Sequence, residues 1–285
     1  MLIGHAEIEV VSDGVTLHDG GAAFGLVPRV LWQRIIQPDE LNRIPFVVRC
    51  LLIRSAGQTI LVDTGYGDKL TAKERERVNL HGERRLLSDL ERLDVPAEDV
   101  DIVINTHLHS DHCGGNTMVR DGRLVPTFPN AEYWIQRREL ADARYPNERT
   151  RGTYFAENFL PLEATGQLRI LSGDTQVTPE VRCWVTRGHT RAHQVVVIES
   201  EGQAAVFLSD ACGWAVSLER LAWVPAYDVE PMESIESKRQ IRDWALRTSA
   251  LLIFQQDPTM VAGQVRSVPG EPGRLVVEPV ETNWP

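Results

Sequence analysis

Four candidate metal ligands are crowded into one short stretch of the chain, "NTHLHSDHCGG" at 105–115. His107 and His109 are two residues apart, so both imidazoles can face one point from an extended segment. Asp111 and His112 follow directly and can turn toward the same pocket. Neutral imidazoles and a carboxylate are the usual ligands of zinc, iron or manganese. Because this spacing is far more specific than a lone histidine, it predicts a metal site between a strand and the start of a helix.

The remaining ligands are expected at the ends of other strands. His189 follows the apolar run at 181–188, and Asp210 ends the apolar run at 204–210. Strand ends are where binding residues collect in α/β proteins. We therefore predict that His189 and Asp210 are metal ligands, and we interpret His193, which begins the next strand, as a supporting residue.

Strand-like and helix-like segments alternate along the chain. Runs rich in Val, Ile and Leu that end at Gly, Asp or a polar residue predict strands, at 46–55, 59–65, 101–107, 181–188, 193–200, 204–210 and 250–256. Amphipathic periodicity predicts helices, at 83–93, 133–143 and 234–250. This mixture favours a layered α/β fold. We interpret residues 1–285 as one domain, in which the segment from about Gly263 is a C-terminal extension that ends in an edge strand.

Charge and hydropathy limit the classes of partner. The net charge is −10, which argues against a nucleic acid as substrate, because proteins that bind phosphate backbones present basic surfaces. No apolar run approaches the ~18 residues that are needed to span a bilayer, and the start of the chain reads as a strand rather than as a signal peptide. We therefore expect no membrane association and a cytoplasmic location. The four cysteines form no CxxC pair and are expected to pack in the core.

Several motifs together resemble those of the metallo-β-lactamase fold superfamily. They are "THLHSDHCGG", "GHT" with His189, "LSD" with Asp210, and "TILVDTG" with Asp63. The segments "DGGAAFGLVP" (19–28) and "NRIPFVVRCLLI" (42–53) resemble the N-terminal part of a bacterial hydrolase branch that includes the N-acyl homoserine lactone lactonases. The resemblance spans roughly residues 10 to 260.

The resemblance implies a four-layer αββα sandwich with two metal ions at one open edge. The implied ligands are His107, His109 and His189 for the first ion, and Asp111 and His112 for the second, with Asp210 between the two. A last histidine is expected just before an Asp-Pro pair, and Gln256 stands at that position. Because an amide oxygen is a weaker zinc ligand than imidazole, we expect one tight zinc ion and a second that is weak or absent, with iron or manganese as alternatives.

The expected activity is hydrolysis of a small molecule by a metal-bound hydroxide that attacks an ester, lactone or amide carbonyl. Asp111 is the predicted catalytic residue, which orients the hydroxide and then donates a proton to the leaving group. Two alternatives stay open. A mononuclear iron dioxygenase of the persulfide dioxygenase type would use His107, His189 and Asp210, and a degenerate module would bind metal without turnover. A homo-oligomer also stays open.

The sequence departs from the lactonase branch near Asp210, where the tyrosine that meets the substrate in lactonases has no counterpart. An apolar rim is expected instead from Phe24, Trp214 and Trp223. Asp63 is expected either to accept a hydrogen bond from a ligand histidine or to cap its own turn.

Overall fold

Two β-sheets lie face to face in the structure, a computed structural model that describes residues 1–82 and 85–284. The strands are β1 (Leu2–Ile3), β2 (Ala6–Asp19), β3 (Arg43–Ser55), β4 (Gln58–Val62), β5 (Ile102–Ile104), β6 (Thr117–Arg120), β7 (Arg123–Pro126), β8 (Glu132–Gln136), β9 (Leu168–Leu171), β10 (Thr175–Gln176), β11 (Val181–Val185), β12 (Gln194–Ser200), β13 (Gln203–Phe207), β14 (Leu251–Ile253), β15 (Ala262–Ser267) and β16 (Leu275–Pro279). The first sheet has the order β1-β2-β3-β4-β5-β8-β9, the second runs from β10 to β16 in chain order, and β6 and β7 form a separate hairpin.

Central strands such as β12 are buried on both faces. On β12, Val196 and Ile198 face the first sheet, whereas Val195 and Val197 face the helices that cover the second sheet. All four side chains are fully buried. This double burial explains why the strand reads as a continuous apolar run rather than as an alternation.

Helices cover the outer face of each sheet. The α-helices of the described residues are α1 (Gly20–Phe24), α2 (Arg29–Trp32), α3 (Ala72–Val78), α4 (Leu86–Arg92), α5 (Ser110–Cys113), α6 (Arg137–Arg144), α7 (Leu160–Ala164), α8 (Ala215–Glu219) and α9 (Pro231–Thr248). Helix α4 packs on the first sheet through Leu86 and Leu90, and α9 packs on the second through Ile241 and Ala245. The layers therefore follow the order α, β, β, α, and the predicted four-layer sandwich is confirmed.

Most predicted elements lie where the sequence places them. Each of the seven predicted strands overlaps an observed strand, and the helix predicted at 234–250 is α9. The helix predicted at 83–93 is α4, although residues 83 and 84 lie outside the described part of the chain. The helix predicted at 133–143 is wrong in its first half, because residues 132–136 form β8 and helix α6 begins at Arg137.

Tertiary context explains that error. Strand β8 lies inside the first sheet, in parallel register with β5 and β9. Tyr133 and Ile135 are fully buried there. Aromatic and β-branched side chains fit a pleated, covered surface well, and this placement overrides the helical spacing of the local sequence.

The C-terminal segment adds strands to the second sheet. Strand β15 pairs with β14, and β16 pairs with β15 at the edge of the sheet. Val265 and Val277 are buried against the helical layer. The edge strand predicted at the end of the C-terminal segment is thus confirmed as β16. In the residues described, no helix combines the length and the apolar character that a membrane crossing requires.

Candidate metal centre

The predicted ligands converge at one edge of the sandwich. Strands β11 and β13 are both antiparallel to β12, so both end at the same edge of the second sheet. His189 follows β11 and Asp210 follows β13, while His107 and His109 follow β5 of the first sheet. Helix α5 then places the remaining two predicted ligands, Asp111 and His112.

Three imidazoles form the first candidate site. The ligand atoms of His107, His109 and His189 all lie within 4.8 Å of one another, and the three side chains are buried. Burial lowers the pKa of His109 to about 3 and holds the pKa of His107 well below its usual value, with the neighbouring histidines adding to the effect. Neutral imidazoles are the form that binds a metal ion.

One ring nitrogen of this site has no protein partner. Nε2 of His107 is buried and makes no hydrogen bond within residues 1–82 and 85–284. Buried polar atoms are almost always satisfied, and the nearest acidic oxygen, Oδ2 of Asp210, is 3.9 Å away. The residues present therefore fit a cation that these side chains would share.

A second candidate site adjoins the first through Asp210. His107, His112 and Asp210 also have ligand atoms within 4.8 Å of one another. One oxygen of Asp210 lies 3.4 Å from Nε2 of His112, and the other lies 3.0 Å from Nε2 of His189. The carboxylate of Asp210 thus reaches both sites.

Asp111 lies beside the second site. One of its carboxylate oxygens is 3.3 Å from Nε2 of His112. Burial acts to raise the pKa of Asp111, but the charge of His112, its hydrogen bond to the carboxylate and the charge of His109 together lower this pKa. Burial likewise acts to lower the pKa of His112, yet the carboxylates of Asp111, Asp210 and Asp63 raise it well above its usual value. The carboxylates therefore make this part of the pocket favourable to positive charge.

Two buried carboxylates orient the candidate ligands. Asp63 accepts a hydrogen bond from Nδ1 of His112 at 2.9 Å and is itself held by the backbone N–H of Thr106. Asp228 accepts from Nδ1 of His189 at 2.9 Å and from the hydroxyl of Ser234 at 2.5 Å. Such contacts fix the tautomer of a ligand histidine so that Nε2 points to the metal. The acceptor role expected for Asp63 is therefore present.

The backbone beside the candidate metal sites has unusual conformations and close contacts. Asp63 and Ser209 both have left-handed φ angles, 59° and 45°. Such strain in non-glycine residues persists at functional sites where the surrounding structure fixes it. Gly115, from the motif, approaches the backbone of Thr64 so closely that a Cβ atom would lie 2.2 Å from its carbonyl oxygen. The second glycine of "HCGG" therefore allows close packing under the site.

Sequence reasoning missed Asp228 and Glu139. Glu139 is buried on α6 and accepts hydrogen bonds from the backbone N–H of Leu108 at 3.0 Å and from the hydroxyl of Thr190 at 2.6 Å. It thereby ties together the two loops that carry His109 and His189. No local motif marks either carboxylate, because each is separated by tens of residues from the loop or histidine that it supports. Their burial in the folded chain was the missing signal.

Gln256 points into the site, as predicted. Its amide nitrogen donates a hydrogen bond to Oδ1 of Asp210 at 2.8 Å. The carbonyl groups of Phe254 and Asp257, on either side, accept from the buried guanidinium of Arg49 at 3.2 and 2.8 Å. Asp257 itself points away and accepts from the backbone N–H of Ala215, in agreement with the expected strand alternation.

A cavity of about 450 Å³ opens beside the candidate metal sites. Its wall includes Phe46, Tyr66 and Tyr227, together with Asp111 and Asp210. The two tyrosines supply phenol groups from distant parts of the chain, although no tyrosine follows Asp210 closely in sequence.

The aromatic rim predicted from the sequence is wrong for Phe24 and Trp223, whereas Trp214 lines a smaller cavity beside His189 and Asp210. Phe24, Trp214 and Trp223 are 1%, 5% and 9% exposed, and none of them lines the 450 Å³ cavity. Their rings pack edge to face, with centroid distances of 5.5 Å from Phe24 to Trp214 and 5.7 Å from Phe24 to Trp223. Large aromatic side chains gain most from burial, so this group forms a core cluster behind the cavity. The four cysteines are likewise buried, with free thiols.

Comparisons with known proteins agree with this fold. Residues 43–241 match the family model of the metallo-beta-lactamase superfamily. An N-acyl homoserine lactonase from Bacillus cereus is 29% identical over 233 residues, which cover 78% of this chain and 85% of that protein. The crystal structure of a probable metal-dependent hydrolase from Staphylococcus aureus has a TM-score of 0.88 and 29% identity, and the match covers 99% of both chains.

A further solved structure shares the fold at lower identity. It is an N-acyl homoserine lactone hydrolase with the product N-hexanoyl-L-homoserine bound at its catalytic metal centre, with a TM-score of 0.70, 22% identity, and coverage of 91% of this chain and 95% of that one. The chain belongs to the metallo-β-lactamase superfamily. Within it, the protein is a metal-dependent hydrolase, as the sequence predicted.

Proposed function

We propose that the protein hydrolyses lactones or small carboxyl esters at a zinc centre. His107, His109 and His189 would hold the first ion, and Asp111 and His112 the second. The observation that carries this assignment is the position of Asp210, whose two carboxylate oxygens lie 3.0 Å from His189 and 3.4 Å from His112. A carboxylate that reaches two adjacent ligand groups is the arrangement expected of a bridge between two metal ions.

When bound, zinc would lower the pKa of a water molecule toward ~7 and polarise the substrate carbonyl. The protein's own groups would supply the remaining chemistry. Asp111 is charged and lines the cavity, so it can take up a proton from the attacking water and return it to the leaving oxygen. Tyr66 and Tyr227 present phenol groups on the same cavity wall, where they can donate a hydrogen bond to the substrate.

The cavity supports a small-molecule substrate with an apolar part. A volume of about 450 Å³ is in the range of small-ligand pockets. Leu17, Phe46 and Val78 add apolar side chains to its wall, alongside the histidines and carboxylates. Relatives that are named N-acyl homoserine lactonases support a lactone as the reacting group.

A substrate panel tests this function. We expect acid release from N-acyl homoserine lactones or aryl esters, and little activity on a β-lactam, once the protein is loaded with zinc. Product masses that correspond to addition of one water would identify hydrolysis. Activity restricted to glutathione persulfide, with oxygen consumed, would instead favour the mononuclear iron dioxygenase and overturn the proposal.

We further propose that the two zinc ions are held with unequal strength. The donor group of Gln256, rather than an imidazole, faces Asp210 at 2.8 Å, so the second ion lacks one strong ligand. Gln256→His should tighten the second ion by about 10-fold or more, because the backbone already directs this side chain into the site. Isothermal titration of metal-free protein with zinc measures both affinities.

The matched control is Gln255→His, which adds an imidazole one residue away on the opposite side of the segment. It should leave the weaker zinc affinity unchanged. Two equally tight sites in the wild-type protein would contradict the proposed inequality.

A further inference from the structure

One histidine on the cavity wall has no part in the candidate metal sites. His18 lies near the end of β2 and lines the 450 Å³ cavity together with His109, Asp111 and Asp210. Its ring packs against the ring of Phe46, with centroids 4.7 Å apart. The position of this imidazole is therefore fixed on one side by an aromatic neighbour.

A hydrogen bond fixes the ring on a second side. Nε2 of His18 lies 2.9 Å from the hydroxyl oxygen of Thr16, which is 1% exposed. Nδ1 has no hydrogen-bond partner in the described part of the chain, so it is the ring nitrogen available to a ligand. Burial lowers the pKa of His18, against the opposing effects of Asp111 and Asp210. The ring is therefore neutral at pH 7, and Nδ1 can donate or accept according to the tautomer.

The wall of the cavity carries apolar side chains as well as polar ones. Leu17, Phe46 and Val78 line the same cavity. A few fixed polar groups in an otherwise apolar wall are what orients a small ligand. A ligand that covered His18 without a hydrogen bond to Nδ1 would leave a polar atom buried and unsatisfied, which is unfavourable.

We propose that His18 is a substrate-positioning residue whose Nδ1 hydrogen-bonds an uncharged polar group of the substrate, such as an amide, that lies outside the reacting carbonyl. This inference rests on the proposed hydrolysis of lactones and esters and narrows it. The preferred substrate class is a lactone or ester that carries an amide substituent. Thr16 holds the ring, and Phe46 supports its face, so that the group is in place before the substrate binds.

Two lactones of similar size test the role of His18. One is N-hexanoyl-L-homoserine lactone, which has an amide, and the other is an α-alkyl-γ-butyrolactone of matched chain length, which has none. In the zinc-loaded wild-type protein we expect a higher kcat/KM for the amide-bearing lactone. His18→Phe keeps the aromatic contact but removes both nitrogens, and should raise KM for the amide-bearing lactone by about 10-fold, with little change for the other.

Two further substitutions test which ring nitrogen of His18, Nδ1 or Nε2, contacts the substrate. The side-chain amide of His18→Asn lies near the position of Nδ1 and should restore part of the preference. The longer amide of His18→Gln lies near Nε2, can contact Thr16, and should not restore it. His5→Phe, at an exposed histidine, is the matched control and should behave as wild type. Equal losses on both lactones in His18→Phe would indicate a merely structural role and overturn the proposal.

A binding measurement separates this inference from the proposed function. Nitrogen-15 spectra of histidine-labelled wild-type protein, with His18 assigned from the His18→Phe variant, should show a shift of Nδ1 on titration with N-hexanoyl-L-homoserine. A shift without turnover of either lactone would contradict lactone hydrolysis but support the contact. Turnover of the lactones, with no shift and an unchanged preference in His18→Phe, would contradict the contact alone.

Discussion

Replacement of His109 by alanine is expected to abolish hydrolysis and to remove most of the bound metal. His109 and His189 meet at 3.1 Å between Nδ1 and Nε2, and their ligand atoms form one compact group with that of His107. Loss of one of three imidazoles should weaken the tighter ion by at least about 100-fold, since even supporting residues of metal sites cost 10–100-fold. Metal analysis after gel filtration and kcat/KM on the best substrate measure the two effects.

The effect on metal content must be separated from an effect on folding. His109 is buried, so circular dichroism and the melting temperature of metal-free wild type and metal-free variant should be compared. His5→Ala, at an exposed position, is the matched control and should retain metal and activity. A folded His109→Ala protein with full metal content and full turnover would show that these histidines are not the ligands.

Replacement of Asp111 by asparagine is expected to have the second-largest effect. The substitution keeps the size of the side chain but removes its negative charge and its ability to move a proton. Loss of a general acid–base group should lower kcat by about 100-fold or more. Because Asp111 lies 3.3 Å from His112, the weaker ion should also be lost more readily, whereas the ion at the three histidines should remain.

Excess zinc separates the two consequences of Asp111→Asn. If Asp111 acts only through the second ion, saturation with zinc would restore kcat. If Asp111 moves the proton, kcat should stay low at every zinc concentration, which is the result we expect. A variant with wild-type kcat without added zinc would contradict both roles.

The convergence of the candidate ligands could be predicted, because their positions are encoded locally. The spacing of His107, His109 and His112 needs only one strand end and the first turn of a helix. His189 and Asp210 follow apolar strands, and the parallel arrangement of those strand ends brings them to the same edge. Gln256 could be placed for the same reason, since it follows β14, which is parallel to β13.

The cavity wall could not be predicted, because it depends on contacts between distant segments. Trp214 and Phe24 are aromatic residues of the kind that line substrate clefts. In the fold, however, they pack against each other and are buried behind the cavity. Tyr66 and Tyr227 line it from distant parts of the sequence. No periodicity or short motif distinguishes a core aromatic residue from one that lines a cleft.

The roles of the supporting carboxylates could not be predicted from the sequence for a related reason. Asp228 and Glu139 hold the loops of His189 and Leu108 through hydrogen bonds across the fold. A single Asp or Glu on a polar segment is usually a solvated surface residue. Only the buried position of these two side chains reveals that they orient the site.

Metal analysis of wild-type protein purified without added metal, with oxygen uptake followed during turnover, tests the zinc-hydrolase assignment most directly. We predict about one tightly held zinc ion per chain, with a second that a mild chelator removes. Turnover of N-hexanoyl-L-homoserine lactone should release acid and consume no oxygen. Iron in place of zinc, with oxygen consumed on glutathione persulfide and no lactone opened, would contradict the assignment.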